Sequence, residues 1–224
     1  MFASFIIIAF LLQTSSITAE QSCSFCPAGS QIRLDEIYQA FFKADIIPDV
    51  IPTFIPTTYL DLQFQPLNGK SINVTLGNEI STLQTLVLSG PSFYFGQEVD
   101  YLNAKYTLIM FDPDPPNPKL NILSSILHWI VHDVLPCNST NPRAPLDLPP
   151  NTMYAQPTPL SFAPHRYTFL LCRQPTNPVY DFQFQTVGIT GNMRPLFNIK
   201  QYLMKSNLTV VSGNFFLQGL NSVV

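Results

Sequence analysis

Charge is what this chain has least of. Asp, Glu, Lys and Arg make up 11% of its 224 residues, against about a quarter in an average soluble protein. The formal balance is −3, so no basic field exists to gather nucleic acid or an anionic membrane, and any phosphate recognition has to be local. Histidine is scarcer still, at three residues. Gly-x-Ser-x-Gly elbows, phosphate loops and dinucleotide fingerprints are missing, which excludes the hydrolases and nucleotide enzymes that announce themselves that way. What is abundant is apolar: 46% hydrophobic residues, 18 of them Phe, together with 21 Pro. That composition can bury a large core, and the length suits one domain of roughly 100–200 residues.

The only long apolar run comes first. Phe5 to Leu12 is too short to span a bilayer and is followed by small residues from Ser15 to Ala19, the pattern of a secretory signal cut near Ala19, although no Lys or Arg precedes it. No later run is long enough for a transmembrane segment, so the expected product is secreted and soluble. Export suits the cysteines: Cys23, Cys26, Cys137 and Cys172 form an even set, which allows three disulfide pairings. Cys137 and Cys172 lie at similar distances beyond two histidines, which favours a Cys137–Cys172 bridge with Cys23–Cys26 as a local loop. A metal at Cys23-x-x-Cys26 would need a second ligand pair, and none is suitably spaced. Asn73, Asn138 and Asn207 each open an Asn-x-Thr/Ser sequon, candidate glycosylation sites that would be on the surface if used.

Residues 1–19 are thus read as signal peptide, 20–54 as an extension with one helix, and 55–224 as a β domain. Leu34, Ile37, Tyr38 and Phe41 share a helical face over residues 31–44, with Ser30 as N-cap and Pro48 just beyond the end. From Thr57 the period becomes two. Leu60, Leu62 and Phe64, then Ile72, Val74 and Leu76, alternate with polar residues on either side of an Asn68-Gly69 turn. Further strands are expected near 83–88, 105–112, 126–134, 165–173, 179–187 and 213–218, with a short helix from Asn198 to Met204. Short strands with proline-rich connections indicate a mainly β architecture.

The chemistry concentrates in three of those strands. The apolar run from Tyr106 ends in Asp112-Pro-Asp114-Pro-Pro, where each Asp precedes a proline and is held extended. His128 and His165 interrupt two other apolar runs, where an unpartnered imidazole is costly. A carboxylate can fix a histidine's tautomer or hold it protonated, and a protonated histidine binds anions. Two Asp and two His around one cavity would accept a phosphate and an ammonium together. The alternatives are turn-forming aspartates and satisfied core histidines. His132 follows His128 by four residues as in a zinc helix, but the alternation of Ile126, His128, Ile130 and His132 fits a strand, and Trp129 stands where zinc chemistry needs Glu. His132 is read as a polar strand-end residue.

These residues resemble the phosphatidylethanolamine-binding protein family. Asp112-Pro-Asp-Pro-Pro116, Leu127-His128-Trp129, the Tyr154…Pro157…Pro159 loop leading into His165-Arg166-Tyr167, and the closing Gly213-Asn-Phe-Phe216 match its motifs in order, across residues 55–218. The resemblance implies a large central antiparallel sheet, a second smaller sheet and a few peripheral helices. It also implies a small anion pocket lined by Asp112, Asp114, His128, His165 and Tyr167. Ile126 stands where many members carry an aromatic residue, and Ala163 where a glycine is usual. The expected function is a secreted, non-enzymatic binding protein for phosphorylated headgroups such as phosphatidylethanolamine, with no cofactor, metal or nucleic acid. The alternative is an inhibitor or modulator of a protein partner such as a vacuolar or extracellular protease. A His/Asp hydrolase ranks last, since no nucleophile is identifiable.

Overall fold

Ser30 starts the first helix as expected, its side chain accepting from the backbone N–H of Arg33 and satisfying one of the donors a helix start leaves free. In this computed structural model, residues 26–67, 69–87, 89–119, 125–138, 152–180, 194–220 and 222 are described. Helix α1 (Gln31–Lys43) buries Leu34, Ile37 and Phe41. Then follow β1 (Leu60–Phe64), β2 (Ile72–Asn73), β3 (Asn78–Glu79), β4 (Ser92–Phe95), β5 (Tyr106–Asp112), β6 (Ser125–Val134), β7 (His165–Arg173), β8 (Arg194–Phe197), α2 (Ile199–Lys205) and β9 (Thr209–Gln218).

Two sheets form, mainly β as the sequence indicates. The smaller has the order β2-β1-β4 and the larger β3-β9-β7-β5-β6-β8. The large sheet is antiparallel apart from the parallel pairing of β3 with β9. β5 lies at its centre and is buried along its whole length, which explains a run of apolar residues without alternation. One face carries Ile109, Phe111 and Leu170 in a core with Leu34, Ile37 and Phe41 of α1 and Tyr202 of α2. The other carries Leu108, Met110, Trp129 and Phe169 against Leu60, Leu62, Phe93 and Phe95 of the small sheet. The layers are helices, large sheet and small sheet, and α1 belongs to the same core as the strands.

Some expectations fail locally. Residues 83–87 are not a strand: Gln84 and Thr85 both donate back to the Ser81 carbonyl in a turn, Leu83 and Leu86 are exposed, and residue 88 lies outside the described residues. Val179 and Tyr180 form no strand, and 181–187 lie outside the described residues. β4 and β8 are too short to give a sequence period.

The expected Cys137–Cys172 bridge is also wrong. The disulfide joins Cys26 to Cys137, and Cys172 is a buried free thiol. Counting residues beyond each histidine ignores strand order. β5 lies between β6 and β7, so Cys172, on β7, is two strand spacings, or about 10 Å, from the line of β6, beyond the roughly 7 Å a bridge tolerates. Cys172 pairs in register with Thr107 and Val210 instead and packs in the helix-side core. Cys26 and Cys137 meet beside the end of β4, where the Cys137 N–H donates to the Phe95 carbonyl and the Gln97 N–H to that of Cys26. Cys23 lies outside the described residues, as do Ser139 and Thr140 of the Asn138 sequon.

Candidate functional site

The strand order brings the chemistry together, because β7, β5 and β6 are neighbours. His165 opens β7 and Asp112 closes β5, and the His165 Nδ1 lies 2.7 Å from an Asp112 carboxylate oxygen. The other Asp112 oxygen accepts the backbone N–H of Asp114 at 2.8 Å. Tyr167, two residues along β7, presents its ring stacked towards His165 and edge-on to His128, with centroids at 6.2 and 5.2 Å. All four residues are almost fully buried.

His128 reaches this group through a β-bulge. Met110 pairs with Trp129 and Phe111 with Leu127, so His128 is the extra residue on β6. A bulge bends a strand and re-aims a side chain. Strict alternation would put His128 and His132 on one face; instead His128 meets Tyr167, while His132 faces the helix layer. His132, read as a polar strand-end residue, does lie near the end of β6. It is buried within β6, 2.9 Å from the Thr107 hydroxyl and 3.3 Å from that of Tyr202, and burial pushes its pKa down to about 4.

Hydrogen-bond partners and burial set the two site histidines apart. The Ser161 hydroxyl donates to the Ala163 carbonyl at 2.8 Å and lies 3.1 Å from the His165 Nε2. With its proton committed, Ser161 accepts from His165, while Nδ1 donates to Asp112. Protons on both ring nitrogens, the imidazolium form, suit this arrangement. Burial opposes that charge, but the hydrogen bond and charge of Asp112, aided by Asp114, outweigh it and raise the pKa. His128 is the opposite case. Its Nδ1 donates to the Ala155 carbonyl at 2.8 Å, burial holds its pKa down, and its Nε2 is buried with no hydrogen-bond partner. A neutral imidazole in this tautomer offers a bare lone pair there.

Asp114 does not face this group. Its carboxylate accepts three bonds from Arg166: the backbone N–H at 2.8 Å, Nε at 3.0 Å and Nη2 at 2.6 Å. Arg166 also donates to the Ala44 and Asp45 carbonyls beyond α1. The sequence reading missed three contributors. Ser161 sits on His165, Ala155 fixes the His128 tautomer, and Arg194 of β8 donates to the His128 carbonyl at 3.5 Å. Arg194 and Ser161 carry no motif, and Ala155 acts through a backbone carbonyl that any residue supplies.

Ser161, His165 and Asp112 line up in the order of nucleophile, base and orienting acid. A base must be unprotonated, whereas Asp112 raises the pKa of His165 and favours its protonated form, and the Ser161 hydroxyl also bonds to the Ala163 carbonyl.

The family model described as phosphatidylethanolamine-binding protein matches residues 70–216. Among curated proteins, the "26 kDa secreted antigen" of Toxocara canis is 27% identical over 156 residues, 65% of this chain and 52% of that protein. "Protein BROTHER of FT and TFL 1" of Arabidopsis thaliana is 32% identical over 102 residues, 46% of this chain and 53% of its own length. The chain thus spans about half the length of the curated relatives it matches. Two solved structures share the fold. A carboxypeptidase Y inhibitor, solved with its cognate proteinase, has a TM-score of 0.63 at 22% identity, over 83% of this chain and 96% of the inhibitor. Phosphatidylethanolamine-binding protein from Plasmodium vivax has a TM-score of 0.55 at 19% identity, over 81% and 96%. With its motifs in order and this extent of match, the chain belongs to the phosphatidylethanolamine-binding protein family.

Proposed function

We propose that this is an exported, non-enzymatic binding protein whose Asp112–His128–His165–Tyr167 site takes a phosphorylated amine headgroup such as that of phosphatidylethanolamine. The observation that carries this reading is the buried, unpartnered Nε2 of His128, since leaving such an atom unsatisfied costs roughly 1–3 kcal/mol. A zwitterionic headgroup answers both histidines. A phosphate oxygen replaces the Ser161 hydroxyl as acceptor for the His165 Nε2–H. His128 either accepts from the ammonium or takes up a proton and donates to the phosphate. Asp112 stays on His165, which keeps a bare carboxylate off the phosphate. Access requires the strap over 152–164 to lift. That strap bears the exposed Leu160 and Phe162, and Leu220, also exposed, donates its N–H to the Ser161 carbonyl. Apolar side chains on the strap beside the site suit acyl chains leaving a bound headgroup. Export is supported by the apolar leader, the Cys26–Cys137 disulfide and the secreted relative.

The test is calorimetric titration with phosphorylethanolamine at pH 7.5 and 6.0, in buffers of different ionisation enthalpy, beside His128→Ala. Saturable binding that vanishes in the variant and tightens at pH 6.0 with proton uptake supports a phosphate on His128. Binding without uptake assigns Nε2 to the ammonium. Affinity unchanged in His128→Ala sinks the site. Vesicles with and without phosphatidylethanolamine then separate a lipid from a free headgroup.

A second reading is inhibition of a secretory or extracellular peptidase, favoured by the higher TM-score to the carboxypeptidase Y inhibitor, 0.63 against 0.55. Inhibition of a defined serine carboxypeptidase that survives His128→Ala would support it; none at micromolar protein would count against it.

A further inference from the structure

We infer that Asn207 carries an N-linked glycan whose first sugars lie in the hollow between residues 99–105 and the start of β9, covering an apolar patch exposed among the described residues. This rests on the export reading, because the modification is made only in the secretory pathway.

Asn207 and Thr209, the two defining residues of the sequon, both line a hollow of about 930 Å³, within the range of small-ligand sites. Both are exposed. Asn207 ends α2 in the left-handed region, at φ +50°, with its N–H on the Met204 carbonyl. That position favours Asn or Gly, so the turn accounts for Asn207 but asks nothing of Thr209.

The opposite wall is unusual for a protein surface. Val99, Tyr101 and Leu102 are 70%, 44% and 64% exposed in one short loop. Around them stand Asp133, Lys105 and Arg173, and the Arg173 guanidinium covers one face of the Tyr101 ring at 3.4 Å. Apolar surface interleaved with donors and acceptors suits a sugar, which has C–H faces and hydroxyl edges. Asn73 offers a contrast. Its hollow is smaller, about 490 Å³, no residue of its lining is an exposed large apolar one, and its side chain already accepts from Gln63.

The experiment is secretion of the full chain from a eukaryotic cell line. Glycopeptide mass spectrometry and hydrogen exchange would be read on the wild type, on the wild type after enzymatic deglycosylation, and on Thr209→Val, which removes the sequon but keeps the left-handed Asn207. Asn207 should be occupied. Removing its glycan by either route should speed exchange several-fold in residues 99–105, leave the segment around Asn73 unchanged, and lower Tm by about 2–4 °C, the shift for roughly 1 kcal/mol at this size. An unoccupied Asn207 in secreted protein overturns the inference. So does an occupied Asn207 whose removal leaves 99–105 unchanged. Retention of the protein inside the cells would instead overturn the export reading.

Discussion

Replacing Asp114 by Ala separates holding the fold from holding a ligand. The carboxylate is fully buried and accepts three bonds from Arg166, whose side chain is 18% exposed. Arg166 in turn ties the turn after α1 to β7 through the Ala44 and Asp45 carbonyls. Without Asp114, the Nε and Nη2 of a mostly buried guanidinium and a backbone N–H lose their acceptor together. Removing one partner of a buried pair costs roughly 3–5 kcal/mol. For a chain of this size that lowers Tm by roughly 6–20 °C. A domain has about 5–15 kcal/mol in all, so the variant should still fold at 15 °C. Chemical denaturation monitored by near-ultraviolet circular dichroism gives the stability, and titration with phosphorylethanolamine gives the affinity. Stability should fall by that amount while affinity stays within about threefold, since a 0.6 kcal/mol change corresponds to that ratio. A loss below about 1 kcal/mol would refute the bidentate pairing as a fold determinant. Abolished binding in a folded variant would put Asp114 back among the ligand-contacting residues.

Ser161→Ala removes the group that occupies His165; headgroup affinity should rise about 2–10-fold, the worth of one hydrogen bond, with no ester hydrolysis by either protein. An esterase activity present in the wild type and lost in Ser161→Ala would reverse the direction assigned to that contact. His132 makes the protein acid-sensitive. Its folded pKa of about 4 lies below the ordinary 6.5, so its contribution is complete above pH 6.5 and is lost as pH falls towards 4, by about 3 kcal/mol. His165, with a raised pKa, has the opposite sign: its contribution is full below pH 6.5 and is lost as pH rises through its folded value. Urea unfolding at pH 7 and 4.5 should show the acid loss in the wild type and much less of it in His132→Gln. Cys137→Ser opens a loop with a sequence separation of 111, and urea unfolding should register a loss of about 4–5 kcal/mol on the loop-entropy account; a loss under 1 kcal/mol would mean that the bridge does not restrain the unfolded chain.

Local rules written in the sequence determined a good deal. The Ser30 cap and the 3.6-residue period gave α1, the alternation around Asn68-Gly69 gave the β1–β2 hairpin, and apolar runs marked β5, β6 and β7 as strands. Motif order pointed to Asp112, His128, His165 and Tyr167, which the fold gathers. The cap, the periods and the turn each act over a short stretch of chain, whereas motif order works by resemblance across the whole domain. Tertiary structure decided everything that depends on which strand lies beside which. With β5 between β6 and β7, Cys137 and Cys172 are too far apart to bond. The bulge at His128 put it on the opposite face from His132. Arg166, on the helix side of β7, claimed Asp114 from a residue 52 positions away. Strand order and bulges are set by the total burial and hydrogen bonding of the assembled sheet, and no window of sequence contains that sum.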